Sequence, residues 1–399
     1  MMHDILSELK LTERIESINS EVIEWRRYLH ENPELSFQEE KTAQFVFEKL
    51  QSFGNLEIFR PTKTSVVARL IGNNSGKVLA IRADMDALPI QEENQFSFTS
   101  KNNGVMHACG HDGHTAMLLG AAKLLSGMKD QLKGEVRFLF QHAEELPPGG
   151  AKEMVKAGVL DGVDLIIGAH VMSTLPYGKI GLNYGPMMAG ADMFKMTIVG
   201  KGGHASQPNQ AIDPIAIGTQ VVSNLQHIVS RKLDPVETAV ISVTQFNGGS
   251  AVNVIPSTVT IGGSVRTFKS DLREKIPNLI EQIVKGITEA HGASYEFDYQ
   301  FGYAPLINDA EVTRFMDETV CEIFGEENRE IVMPMMGSED FSAYLKEIPG
   351  SFILIGARNE EEGIIYPHHH PKFDFDERAL QNGVKLFVLG TMKILENQN

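Results

Sequence analysis

The chain has 399 residues, 42% of them hydrophobic, and a formal net charge of −16. That length allows two or three domains and that composition a packed core, which excludes a disordered chain. The acidity speaks against nucleic acid and anionic membrane surfaces as partners, since both reward clustered Lys and Arg.

No apolar run reaches bilayer-spanning length. Asp4, Glu8, Glu13 and Glu16 make the start unlike a secretory leader, and the two cysteines, Cys109 and Cys321, suit a reducing, cytoplasmic setting. Residues 20 to 52 read as two helices broken at Asn32-Pro33. Val78-Leu79-Ala80-Ile81 then reads as a buried strand ending at Arg82-Ala83-Asp84. Beyond the stretch from His107 to His114, Met117, Leu118, Ala121, Leu124 and Leu125 recur at helical spacing. Val136 to Phe140 is a second strand, leading into Gln141-His142-Ala143-Glu144-Glu145, and Leu165 to Gly168 is a third, leading into Ala169-His170. This alternation predicts an α/β fold built on a mixed or parallel sheet, with helices on both faces. Ligand-type residues then fall past the carboxyl ends of the strands, where such sheets place their sites, with Asp84, Cys109, His111, Glu144, Glu145 and His170 along one edge.

From about residue 191 to 301 the rhythm changes. A strand from Phe194 to Val199 leads through Gly-Gly-His-Ala-Ser to a helix over about 214 to 230. Strands at Thr238–Gln245 and Thr258–Thr267, a helix over about 271 to 291 and a strand from Ser294 to Tyr299 follow. The order β-α-β-β-α-β is ferredoxin-like. Residues 191–301 are therefore expected to form a domain inserted into a discontinuous catalytic domain of residues 1–190 and 302–399, which ends in a helix from about Asp376.

The chemistry concentrates in His107-Ala-Cys-Gly-His-Asp-Gly-His114. Thiolate and imidazole are the donors that borderline transition metals select. Alone, a Cys-x-His pair arises by chance, and a buried cysteine serves as a small apolar residue. Glu144 and Glu145 together offer one carboxylate to a metal and one to a water, unless they merely cap a solvated strand end. Tyr366-Pro-His-His-His-Pro371 is either a late source of imidazole or an exposed loop. Gly200, Gly202 and Gly203 lack the Gly-Lys-Ser/Thr ending of a phosphate loop, and no Gly-x-Ser-x-Gly elbow is present. A cysteine hydrolase built on Cys109 would leave Glu145, His170 and His369 idle.

Further motifs join these: Arg26-Arg-Tyr-Leu-His-Glu-Asn-Pro-Glu-Leu35, Arg82-Ala-Asp-Met-Asp-Ala-Leu-Pro89, His142-Ala-Glu-Glu145, Gly202-Gly-His-Ala-Ser206, Val252-Asn-Val-Ile-Pro256, Gly337-Ser-Glu-Asp-Phe341 and His369-His-Pro371. In this order the chain resembles the metal-dependent amidohydrolases that include aminoacylases, hippurate hydrolases, N-acetyldiaminopimelate deacetylases and auxin-conjugate hydrolases, relatives of the di-zinc carboxypeptidases. The resemblance implies a catalytic domain of di-zinc exopeptidase type with two divalent ions (Zn, Mn, Co or Ni) per subunit. Their ligands would be Cys109, His111, Glu145, His170 and His369, with Cys109 bridging and His369 preferred to His368 and His370. It implies Glu144 as general base and Asp84 as the carboxylate that orients the site from behind the ligands. Arg82 stands where the carboxypeptidases have a ligating histidine. His204 would stabilise the oxyanion in a partner subunit's site, and Asn253 and Arg266 would hold the substrate, so a homodimer or tetramer is implied. The expected activity is hydrolysis of N-acyl L-amino acids; a dipeptidase, aminopeptidase or carboxypeptidase, or a non-catalytic metal-binding protein, is the alternative. Met187 and Met188 are read as core residues in preference to an acyl pocket.

Overall fold

The apolar runs read as strands form the middle of an eight-stranded sheet in the computed structural model, which describes residues 11–396. Its strands are β1 (Glu57–Phe59), β2 (Val66–Ile71), β3 (Asn74–Asp84), β4 (Lys133–Gln141), β5 (Leu165–Pro176) and β6 (Ile180–Leu182), with β15 (Arg329–Ile331) and β16 (Gly350–Arg358) further along the chain. The order is β1-β2-β4-β3-β5-β16-β6-β15. Neighbours are parallel from β4 through β3 and β5 to β16. That central part carries near-continuous burial, as strands covered on both faces require.

Towards the edges the sheet is mixed rather than wholly parallel. β1 and β2 pair antiparallel, as do β2 with β4 and β6 with β16. The link from Phe59 to Val66 is too short for a crossover, so β1 and β2 can pair only as a hairpin. His170 lies within β5, opposite Leu354, and not past its end, because β16 supplies ladder partners as far as Pro176.

The helices Asn19–Glu31 and Glu40–Phe53 flank Asn32-Pro33 as the sequence predicts. A central helix, His111–Ser126, packs against Asn19–Glu31 and against Arg378–Glu396. Every residue of it except Lys123 is buried, so it is covered all round where most helices bury one stripe. Leu118, Leu119 and Leu125 of this helix join Ile81 of β3, Phe138 of β4 and Val384 in one core. These elements belong to a unit made of the described residues through Gly185, Asn308–Met333 and those from Asp340 on.

A second unit comprises Pro186–Ile307 and Pro334–Glu339. Its main strands are β8 (Gly190–Val199), β10 (Ala239–Gly248), β12 (Thr258–Thr267) and β13 (Ser294–Tyr303). The short strands β7 (Pro186–Met188), β9 (Gly203–His204), β11 (Val254–Ile255) and β14 (Leu306–Ile307) pair in two ribbons. The main sheet has the order β10-β12-β8-β13, antiparallel throughout. Alternate residues of β8, Phe194, Met196 and Ile198, turn inward to meet Ile217 and Val221 of the helix Pro214–His227 and Ile276 and Ile280 of the helix Ser270–Ala290. Asp213 starts the earlier helix by accepting from the amides of Ile215 and Ala216, ahead of Pro214 at its first position. Met187 is fully buried. Among the described residues no helix is long and apolar enough to cross a membrane.

Candidate metal centre

The donor-rich loop is shaped at Gly110, whose φ of +94° is left-handed. A Cβ there would lie 2.3 Å from Cγ2 of Val171. Directly after it the helix begins at His111, six residues before the apolar pattern predicts. The helix is thereby seated beside the end of β3: Thr115 Oγ1 donates to the Asp84 carbonyl at 2.8 Å, and His114 Nδ1 lies 2.6 Å from Asp84 Oδ1. The other His114 nitrogen accepts from the Val171 amide at 2.9 Å, so both ring positions are engaged. His107 has no hydrogen-bond partner at either nitrogen, and burial pushes it down to about 4, which leaves it neutral.

The imidazole of His111 is arranged differently. Its Nδ1 meets the Asp86 carbonyl at 2.9 Å and Asp86 Oδ1 at 3.2 Å, while Nε2 is buried with no hydrogen-bond partner. His170 donates Nδ1–H to the Val171 carbonyl at 2.7 Å and brings Nε2 to 3.5 Å from Cys109 Sγ. Burial, and then the neighbouring His114 and His368, hold His170 well below its ordinary range, so that Nε2 offers a lone pair. His369 comes from the carboxy-terminal loop. Its amide donates to the Ala108 carbonyl at 2.7 Å, and its Nε2 lies 3.3 Å from Glu145 Oε1. Of its neighbours, His368 accepts from the Ser173 amide and His370 stacks on Tyr366, its Nδ1 accepting from the Lys372 amide.

Four donor sets of this unit overlap here, each with its ligand atoms within 4.8 Å of one another: Cys109, His111 and His170; Cys109, Glu145 and His369; His111, Glu144 and Glu145; and Asp84, His111 and His114. The first two share the Cys109 sulfur. Both glutamates lie beyond β4, in a turn held by a residue the sequence reading passed over. Asp86 accepts from the Glu144 amide through Oδ1 at 3.0 Å and from the Glu145 amide through Oδ2 at 2.9 Å. The same carboxylate accepts from Ser36 Oγ at 2.7 Å. Asp86 thus fixes the ring tautomer of His111 and the backbone of the glutamate pair at once. The one available signal was Asp84-Met-Asp86, two carboxylates at a strand end.

Charge is unbalanced in this hollow. Burial alone would depress His111, yet Asp84, Asp86 and Glu145 raise it to about 10. Burial, followed by Glu145, Glu144 and Asp84, pushes the Cys109 thiol well above its usual value. Burial opposes the charge on Asp84 too, but Arg82, His111 and His114 keep it well below the carboxylate range. Arg82 spends its guanidinium on Asp84 at 2.6 Å, Asp340 at 2.8 Å and Gln141 at 2.8 Å. A thiol, imidazoles and carboxylates converge here while His111 Nε2 is buried without a hydrogen bond. That set fits divalent transition metals.

The remaining candidates belong to the second unit. His204 on β9 pairs with Val254 of β11, and the Ala205 amide donates to the Asn253 carbonyl at 3.1 Å, so His204 and Asn253 sit on one exposed ribbon. His204 Nδ1 accepts from the Ser206 amide at 3.1 Å and lies 2.8 Å from its hydroxyl. Arg266 stands on β12, opposite Val240 of β10 and Ala191 of β8.

Comparison with known proteins places this geometry. The profile of the peptidase family M20/M25/M40 matches residues 80–391. An N-acyl-L-amino acid amidohydrolase of Geobacillus stearothermophilus is 67% identical over 294 residues, 74% of this chain and 80% of that protein. Thermostable carboxypeptidase 2 of Saccharolobus solfataricus is 41% identical over 96% of this chain and 98% of its own. The crystal structure of Bacillus subtilis YXEP, described as a dinuclear metal-binding peptidase of the M20 family, superposes with a TM-score of 0.85 at 38% identity, covering 96% of this chain and 99% of that one. The chain belongs to the peptidase family M20/M25/M40.

Proposed function

We propose that this chain hydrolyses the amide bond of N-acyl L-amino acids, releasing a carboxylate and a free amino acid. Cys109, His111, Glu145, His170 and His369 would hold two divalent ions, with Cys109 shared between them. Zn, Co and Ni suit this thiolate and imidazole set, and the carboxylate admits Mn. When bound, the ions supply Lewis acidity that brings the pKa of a water to about 7. Glu144 takes the proton of the attacking water and delivers it to the departing amine nitrogen. Asp86 keeps His111 in the tautomer that offers Nε2, while Asp84 neutralises Arg82 and orients His114 behind the donor loop. His204 is assigned to the oxyanion of a partner subunit's substrate, and Asn253 and Arg266 to substrate binding, Arg266 by gripping a free carboxylate. The second unit, Pro186–Ile307 with Pro334–Glu339, would be the lid and dimerisation domain that the sequence expects over residues 191–301, its sheet order that of a ferredoxin-like fold. A cytoplasmic location suits the two free thiols.

The observation that carries this reading is the position of Glu144, inside a donor set with His111 and Glu145 and next in sequence to a ligand. A site that only holds metal needs no carboxylate beyond its ligands to carry a proton. A second reading, cleavage of peptides from the carboxyl end, is favoured by the likeness to a thermostable carboxypeptidase across nearly the whole chain. Matched N-acetyl amino acids, dipeptides with a free amine and N-blocked dipeptides separate the two. A kcat/KM at least tenfold higher for the N-acetyl amino acids supports the proposal, and preference for either dipeptide series overturns it.

A further inference from the structure

Glu39 lies outside the donor set, just before the helix Glu40–Phe53, and is completely buried. Its Oε1 accepts from the Ala143 amide at 2.7 Å and from the Phe37 amide at 3.0 Å. Both partners are non-glycine residues in the left-handed region, with φ of 49° at Ala143 and 65° at Phe37. Such a backbone is strained and persists only where the surroundings over-determine it. Here they do. The Ala143 carbonyl accepts from the Gly150 amide at 2.9 Å, and Asp86 takes the next two amides, those of Glu144 and Glu145. Three consecutive N–H groups are thus held by two buried carboxylates at the point where the chain leaves β4 and turns.

The two carboxylates do different work. Asp86 also contacts His111, so its loss would disturb the donor set directly. Glu39 makes no hydrogen bond to any of the five proposed ligands, and what it holds is the residue that aims the peptide before Glu144. Were its oxygen removed, the Ala143 amide would be buried and unsatisfied, and the residue would be free to relax towards an ordinary φ, rotating the plane that carries Glu144.

We propose that Glu39 is a positioning residue for Glu144, acting through the left-handed turn at Ala143; this rests on the reading of Glu144 as the proton carrier. Reach matters here more than charge. Burial, and after it the charge of Asp86, lifts the Glu39 carboxyl to about 7, and a glutamine keeps an oxygen where Oε1 stands.

The test compares Glu39→Gln, Glu39→Asp and Glu39→Leu in the full-length, metal-loaded protein. Glu39→Gln should retain kcat within about threefold. Glu39→Leu, and Glu39→Asp with a side chain one methylene too short, should lose about ten- to a hundredfold in kcat, with KM and bound metal unchanged, as a misplaced reacting group does. Amide hydrogen exchange over residues 143–145 should accelerate in the Leu and Asp variants and not in Gln. If Leu does not fold, Asp against Gln gives the same contrast. Unchanged exchange at Ala143 in a folded Leu or Asp variant overturns the proposal, as does faster exchange with kcat retained, or loss of metal in step with activity. A wild type that turns over no N-acyl amino acid counts against the function proposed above, while the exchange at 143–145 still decides the role of Glu39.

Discussion

The chain has 2 cysteines and 13 histidines, so a cluster such as His107 to His114 stands out by rarity alone. Asp86 is one of 52 acidic residues, and beyond its place two residues after Asp84 at a strand end nothing local marks it as the group that orients both His111 and the glutamate pair. Its importance comes from long-range pairing of β3 with β4, which no short window records. The same holds for His114, which shares the donor loop but is already committed to Asp84 and Val171. Two outcomes follow at this scale. Glu144→Gln should lower kcat about 10²- to 10⁴-fold, the usual worth of a placed general base, while elemental analysis finds the metal content unchanged. Asp86→Ala should weaken metal binding by about 10- to 100-fold in a competition titration with a chelator, because the ring of His111 keeps only the main-chain carbonyl while the amides of Glu144 and Glu145 lose their acceptor. Wild-type affinity in that variant would remove Asp86 from the account.

At the scale of elements, the helices and central strands were legible because their apolar residues follow periods of 3.6 or form buried runs. The antiparallel pairings of β1 and β2 on one side of the sheet and of β6 on the other were not, since three- to six-residue strands carry too little pattern. The early start of the helix His111–Ser126 was hidden for a different reason: its opening turn is polar, and Gly110 supplies the break in the backbone. Gly110→Ala would need a Cβ in left-handed backbone against Val171, and should lower stability by about 2 kcal/mol or more, read as a fall in Tm together with reduced metal content. The helix Asn19–Glu31 is tied to the central helix by buried charge: Arg26 and His30 both reach Asp112, at 2.9 and 2.8 Å, and His30 also meets Glu92 at 3.0 Å. Burial works against a charged His30, but its hydrogen bonds to Asp112 and Glu92 raise it above the ordinary value. A raised folded-state pKa means the contribution is fully present below about 6.5 and fades as pH climbs through the raised value. Thermal melts of metal-free wild type and His30→Asn should therefore show a wild-type advantage at pH 6 that shrinks towards pH 9. A constant gap would assign His30 a packing role alone.

For the whole molecule, the division into a unit that carries the donor set and a second unit with its own core and sheet follows from two separate apolar clusters. The role proposed for His204 makes a further demand, that a site be completed by another subunit. Glu144→Gln and His204→Ala, each inactive alone, should then regain part of the activity when mixed and allowed to exchange subunits; no recovery in a demonstrably mixed dimer would place His204 outside the partner's site. The central claim, an amidohydrolase that depends on two metal ions held by Cys109, His111, Glu145, His170 and His369, is tested most directly by chelation and restoration. Purified protein is stripped, then titrated with Zn, Mn, Co or Ni while bound metal and hydrolysis of N-acetyl amino acids are followed together. The account predicts that turnover vanishes on stripping and returns as the ratio of bound metal approaches about two per chain. Turnover that survives complete removal of metal, or none at all with two ions bound, would contradict it.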